Sequence, residues 1–276
     1  MTMVKIIDVC SGKGGVGKTT MAANLGLALQ RFGKRCVVID CNLTTSHLSL
    51  AFGFHSYPMS LNHFLRNECS LEEATYTHMS GLKVVPASLE LKDMVNVNPT
   101  NFRERLRTAF EGFDIILLDS APSLGREALM ALEAADEVLF VANPHIPSLV
   151  DVLKTNHLIG SMETKPAVLG VIVNRVRGRK YEVPMDEIGA FVEMPVIGVV
   201  PEDENVLESA NKKSLVAFYK PYTSASISIF EIAARLARVI YKRPSRFEAF
   251  RKKFKKNHME FYNHFPAEYG QPYGMV

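Results

Sequence analysis

The stretch that most constrains this chain is Ser11-Gly12-Lys13-Gly14-Gly15-Val16-Gly17-Lys18-Thr19-Thr20. An apolar run containing Val4, Ile6, Ile7 and Val9 precedes it, and a helical pattern follows from Met21. The order is therefore strand, glycine loop, helix. It fits G-x-x-x-x-G-K-[ST], with Gly12, Gly17, Lys18 and Thr19 in the fixed places. Glycines let successive backbone N–H groups curl inward around a phosphate, where side chains would obstruct it. Gly14, Gly15 and Val16 complete that wall. Lys18 carries a point charge to the β- and γ-phosphates and Thr19 offers a hydroxyl to Mg²⁺, while the helix from Thr20 adds the positive end of its dipole. A nucleoside triphosphate with magnesium is the expected ligand.

Further along, apolar runs alternate with helical periodicity. Cys36-Val37-Val38-Ile39-Asp40 and Phe113-Asp114-Ile115-Ile116-Leu117-Leu118-Asp119 both end in a carboxylate. That is the pattern of buried parallel strands whose C-terminal ends open on a ligand crevice. Beside a glycine loop the second run reads as a Walker B strand, its Asp119 reaching the Mg²⁺ shell through a water. The spacing predicts helices over 20–32, 60–66, 70–76, 101–110, 148–158, 205–210 and 224–240, the third because Ser70-Leu71-Glu72-Glu73 forms a capping box. Strands are predicted over 82–87, 137–142 and 168–173. Strands joined by crossover helices give an α/β fold with a doubly wound, mostly parallel sheet.

A second lysine, Lys13, directly follows the first glycine, giving K-G-G-x-G-K-T. In this form the loop resembles the deviant Walker A family of P-loop ATPases that includes MinD, ParA, FlhG, Mrp and the nitrogenase iron protein. The similarity runs through about residues 3–240 and is strongest to MinD. It implies that Lys13 reaches across a dimer interface to the partner's nucleotide, so that ATP and Mg²⁺ would close a homodimer. It also implies that Asn174, followed by Arg175, reads the adenine edge through its amide, and that Pro201-Glu202-Asp203 lines the base. Ser120-Ala121-Pro122 resembles the family's switch II segment, with the proline one residue late. Where the family has D-x-D after the second strand, this chain has Asp40-Cys41-Asn42. Asp40 falls with Thr19 and Asp119 among the expected metal-site residues. Asn42 can hold a water but cannot accept its proton, so slow hydrolysis is expected, with a non-hydrolysing scaffold as the alternative. A ParA-like DNA segregation ATPase is the other alternative.

The 276 residues, 47% hydrophobic and 22% charged, suffice for one sizeable α/β domain and exclude a disordered chain. Apolar runs are strand length, too short to span a bilayer, and the first residues lack a signal-peptide pattern. Cys10, Cys36, Cys41 and Cys69 form no C-x-x-C pair, which suits reduced thiols in a cytoplasmic protein and disfavours an iron–sulfur cluster.

Charge divides the chain into a domain over 1–241 and a tail over 242–276. The tail holds eight Lys and Arg against three Glu, a net of +5, which leaves the body at −2 because the whole chain carries +3. DNA is therefore the less expected partner. At helical spacing Phe247, Phe250, Phe254 and Phe261 gather within about 80°, with Lys252 and Lys253 among the flanking cations. Such an amphipathic helix suits an anionic membrane surface, making peripheral membrane association the expectation; an activating protein partner is expected as well. The alternative is that the Phe stripe packs on the protein's own body or on its dimer mate.

Overall fold

The computed structural model describes residues 3–54, 56–245, 271 and 272. Strand β1 (Lys5–Cys10) enters the glycine loop and helix α1 (Lys18–Arg31) leaves it. Then come β2 (Cys36–Asp40), the short helices α2 (Leu48–Ala51) and α3 (Leu61–Leu65), and the hairpin of β3 (Tyr76–Thr77) with β4 (Lys83–Val85). The alternation continues with α4 (Phe102–Ala109), β5 (Ile115–Asp119), α5 (Arg126–Ala134), β6 (Glu137–Ala142), α6 (Ile146–Ser161), β7 (Ala167–Val176), α7 (Met185–Phe191) and β8 (Val196–Pro201). It closes with α8 (Glu204–Asn211), α9 (Val216–Tyr219), α10 (Ser224–Ala237) and the small antiparallel pair β9 (Val239–Ile240) and β10 (Gln271–Pro272).

The main sheet has eight strands in the order β3-β4-β2-β5-β1-β6-β7-β8, and every pairing except β3 with β4 is parallel. Helices cover both faces, so strand residues of either parity are buried. Along β1, Ile7 and Val9 pack with Leu25, Val38 and Phe230, while Ile6, with Val4 just before the strand, packs on the opposite face with Ile39, Phe64 and Leu118. This two-sided burial is why the strands are continuous apolar runs rather than alternating ones. β1 lies between β5 and β6, so the loops leaving β1 and β5 diverge at the C-terminal edge of the sheet and open the crevice there.

Three local expectations are corrected. Residues 70–76 do not form a helix. The capping box is made, with Glu73 N–H donating to Ser70 Oγ at 3.2 Å and Ser70 N–H to Glu73 Oε2 at 2.8 Å, but only a turn follows because Tyr76 is drawn into β3. The last long helix stops at Ala237, where Arg238 adopts the left-handed conformation (φ 55°) and Val239 starts β9. β7 runs on through Asn174 and Arg175 to Val176, paired with β8 beyond Val173. The predicted amphipathic helix, with Phe247, Phe250, Phe254, Phe261, Lys252 and Lys253, lies outside the described residues.

Candidate functional site

The loop between β1 and α1 is held by close approaches that exclude side chains. A Cβ on Gly12 would run into the backbone of Asp151 in α6. Gly17, the residue before α1, has φ 99°, and a Cβ there would strike the amide of Asn174. That amide donates from Nδ2 to the Val16 carbonyl at 2.8 Å, so β7 buttresses the loop from behind. Asn174 is itself anchored, its carbonyl accepting from Asn143 Nδ2 at 3.0 Å.

The fold separates the two lysines. Lys18, in the first turn of α1, is buried and forms no ion pair with a carboxylate among the described residues. Lys13 stands exposed at the loop's apex, with its carbonyl accepting from Ser11 Oγ at 2.8 Å. The neighbouring Asp8 and Asp119 carboxyls lie beyond ion-pair contact, so the buried ammonium has no direct anionic partner among the described residues, and the loop around it is shaped for phosphate.

Asp119 and Asp40 are paired across neighbouring strands, and Asp119 also faces Val9 of β1. Burial pushes both carboxyls up, and for Asp40 the nearby Asp119 adds to that. Lys18 and the Thr19 hydroxyl pull Asp119 back down. Asp119 Oδ1 is buried with no hydrogen-bond partner among the described residues. An orphaned acceptor beside the Thr19 hydroxyl fits a hydrated cation, so the residues present suit magnesium. Asp40, expected with Thr19 and Asp119 at the metal site, also holds a loop. Its carboxylate accepts from Asn42 N–H at 3.0 Å, Ser46 Oγ at 2.6 Å and Leu48 N–H at 3.3 Å, and so organises the loop between β2 and α2.

Asn42 is turned into that same loop. Nδ2 donates to the Thr45 carbonyl at 2.7 Å, and Oδ1 accepts from Thr45 N–H at 3.3 Å and Thr45 Oγ1 at 3.0 Å. At the far side, Glu202 N–H donates to the Val176 carbonyl at 2.9 Å. Asp203 caps α8 through Asn205 N–H (3.0 Å) and also accepts from Ser224 Oγ (2.8 Å) and Ala225 N–H (3.1 Å). Pro201 ends β8, and Arg175 stands exposed with φ 59°.

Two site residues escaped the sequence reading. Asp8, in the middle of β1, is fully buried; Oδ1 accepts from Ser120 Oγ at 2.8 Å and Oδ2 has no hydrogen-bond partner among the described residues. Burial pushes its carboxyl up to about 7. The signal was available, since an acidic residue interrupts an otherwise apolar run. Glu127, in the first turn of α5, accepts from Leu43 N–H at 3.1 Å, joining the loop after β2 to the helix after β5. No local pattern announces that contact.

The profile of the CobQ/CobB/MinD/ParA nucleotide binding domain matches residues 7–216. The chain belongs to the CobQ/CobB/MinD/ParA family. An uncharacterized ATP-binding protein of Methanocaldococcus jannaschii is 35% identical over 240 residues, covering 87% of this chain and 90% of that protein. The septum site-determining protein MinD of Synechocystis is 30% identical over 244 residues, covering 85% and 90%. Among solved structures, the MinD of Pyrococcus horikoshii complexed with Mg-ADP superposes with a TM-score of 0.80 at 28% identity, covering 85% of this chain and 96% of that one. The strand order, the glycine loop and the paired Asp40 and Asp119 described above thus belong to a MinD/ParA-type P-loop domain.

Proposed function

We propose that this MinD/ParA-type domain is an ATP-dependent dimerisation switch with slow ATPase activity, acting to position a cellular structure such as a division site, a pole or a surface appendage. The observation that carries the reading is the sorting of the loop's lysines: Lys18 inward and in ion-pair contact with no carboxylate among the described residues, Lys13 outward at the apex. One copy's Lys18 neutralises its own nucleotide. Its Lys13 is presented to a second copy's phosphates, so the triphosphate joins the two subunits. Mg²⁺, held by Thr19 and reached by Asp119 through a water, would neutralise charge between the β- and γ-phosphates. The backbone N–H groups of residues 12–19 orient the phosphate chain, and Asn174 keeps the loop in that shape besides offering its amide to the base.

Dimerisation would double the exposure of a weakly binding basic tail and convert it into an avidity switch at an anionic membrane. Among the described residues no helix is long and apolar enough to cross a membrane. The body's net charge of −2 weighs against DNA as the partner. Light scattering with Mg-ADP and with a non-hydrolysable ATP analogue tests the switch: dimer is expected only with the analogue and is lost in Lys13→Ala. A monomer under every condition refutes it. Sedimentation with anionic vesicles, comparing the full chain with one truncated after Arg243, tests the tail, and binding indifferent to truncation refutes that part.

A further inference from the structure

Hydrolysis of a triphosphate needs a group that holds the attacking water in line and accepts a proton from it. Asn42 is poorly placed for this, since both ends of its amide close the turn with Thr45. Asp40 is fully buried and saturated by three donors from the loop it organises. Asp8 is fully buried and bonded to Ser120, and Asp119 is 1% exposed at the base of the crevice. Glu127 differs from all of them. It belongs to the same electrostatic group, because together with Asp8, Asp40 and Asp119 it pushes up the Cys41 thiol, yet it is only half-buried. Its Oε2 is tied to Leu43 N–H at 3.1 Å and Thr44 Oγ1 at 3.5 Å, directly after Asn42. Those bonds, with the Thr44 N–H beside them, hold the carboxylate against the loop at a position that solvent still reaches.

We infer that Glu127 is the carboxylate that holds the attacking water, supplying from α5 what Asn42 cannot supply from the loop after β2. The inference rests on the proposal that this chain hydrolyses ATP. In the step, the water oxygen forms the new bond to the γ-phosphorus. The bond to the β,γ-bridging oxygen breaks and ADP departs with that electron pair. One water proton passes to Glu127 and then to the released phosphate. Because Glu127 follows Asp119 by one loop, it links the loop after β2 to the loop after β5, both at the C-terminal edge of the sheet.

The test compares the full chain with Glu127→Gln and Glu127→Asp, measuring binding of a fluorescent ATP analogue and single-turnover phosphate release across pH. Gln retains an oxygen for Leu43 N–H, and Asp retains the charge on a stem one methylene shorter. ATP binding unchanged within about three-fold is expected, with release slowed roughly a hundred-fold in Glu127→Gln and less in Glu127→Asp. The acid limb of the wild-type rate profile should vanish in Glu127→Gln. Release as fast as wild type in either variant, or an acid limb unchanged in Glu127→Gln, overturns the inference and leaves the ATPase reading standing. Wild-type protein that binds ATP but releases no phosphate overturns both.

Discussion

Replacing Asp8 by Asn should stabilise the protein above neutral pH and do almost nothing in acid. The Asp8 carboxyl is fully buried, and burial raises it from 3.8 to about 7, with the Ser120 hydrogen bond and Lys18 only partly opposing the shift. A carboxyl raised in the folded state binds its proton more tightly there than in the unfolded chain. Stability is therefore greatest below pH 4 for this group, declines between pH 4 and 7, and carries the full penalty above pH 7. At 1.36 kcal/mol per unit, the shift from 3.8 to about 7 corresponds to a penalty of about 4 kcal/mol at pH 8. Asn does not titrate, is nearly isosteric, and keeps an oxygen for the Ser120 hydroxyl. Equilibrium urea unfolding of both proteins at pH 4.5 and pH 8 reads the difference directly. The gap in unfolding free energy should widen in favour of Asp8→Asn by a few kcal/mol on going to pH 8. A gap of the same size at both pH values, or one that favours the wild type at pH 8, would show that Asp8 is solvated or paired as an anion, and the burial argument would fail.

Other perturbations follow from the same contacts. Gly17→Ala places a Cβ against Asn174 at φ 99°, a strain of about 1–2 kcal/mol before the clash, and should weaken nucleotide binding more than ten-fold in a fluorescence titration. Asn174→Ala frees the Val16 carbonyl and should both weaken ATP binding and speed amide exchange in the loop, whereas a role confined to the base would leave exchange unchanged. Asp136→Ala strands Arg103, Arg107 and the Ile6 N–H, all of which donate to that carboxylate, and should cost about 3 kcal/mol by urea unfolding. Asn42→Asp loses the Nδ2 donor that ties the side chain to the Thr45 carbonyl, so the released carboxylate should accelerate single-turnover phosphate release, and its crowding beside Asp40 should raise its pKa.

The sequence by itself determined the elements whose signals are local. A glycine loop needs backbone freedom and close approach at particular positions, so Gly12, Gly17, Lys18 and Thr19 state their structure within ten residues. The continuous apolar runs ending in Asp40 and Asp119 state theirs because a strand buried on both faces cannot alternate. From these the parallel sheet and the nucleotide family were legible. The residue that a side chain meets across the fold was not. Only the tertiary structure turned residues 70–76 from a capped helix into one turn before β3, since strand pairing outweighed a local cap. It also seated Asn174 behind Val16, gave Asp40 to the loop it organises, buried Asp8 beneath Ser120, and brought Glu127 to Leu43 from 84 positions away. Periodicity reports which face of an element is apolar; which partner fills that face, and which polar atom is left without one, depends on how the strands are ordered in the sheet.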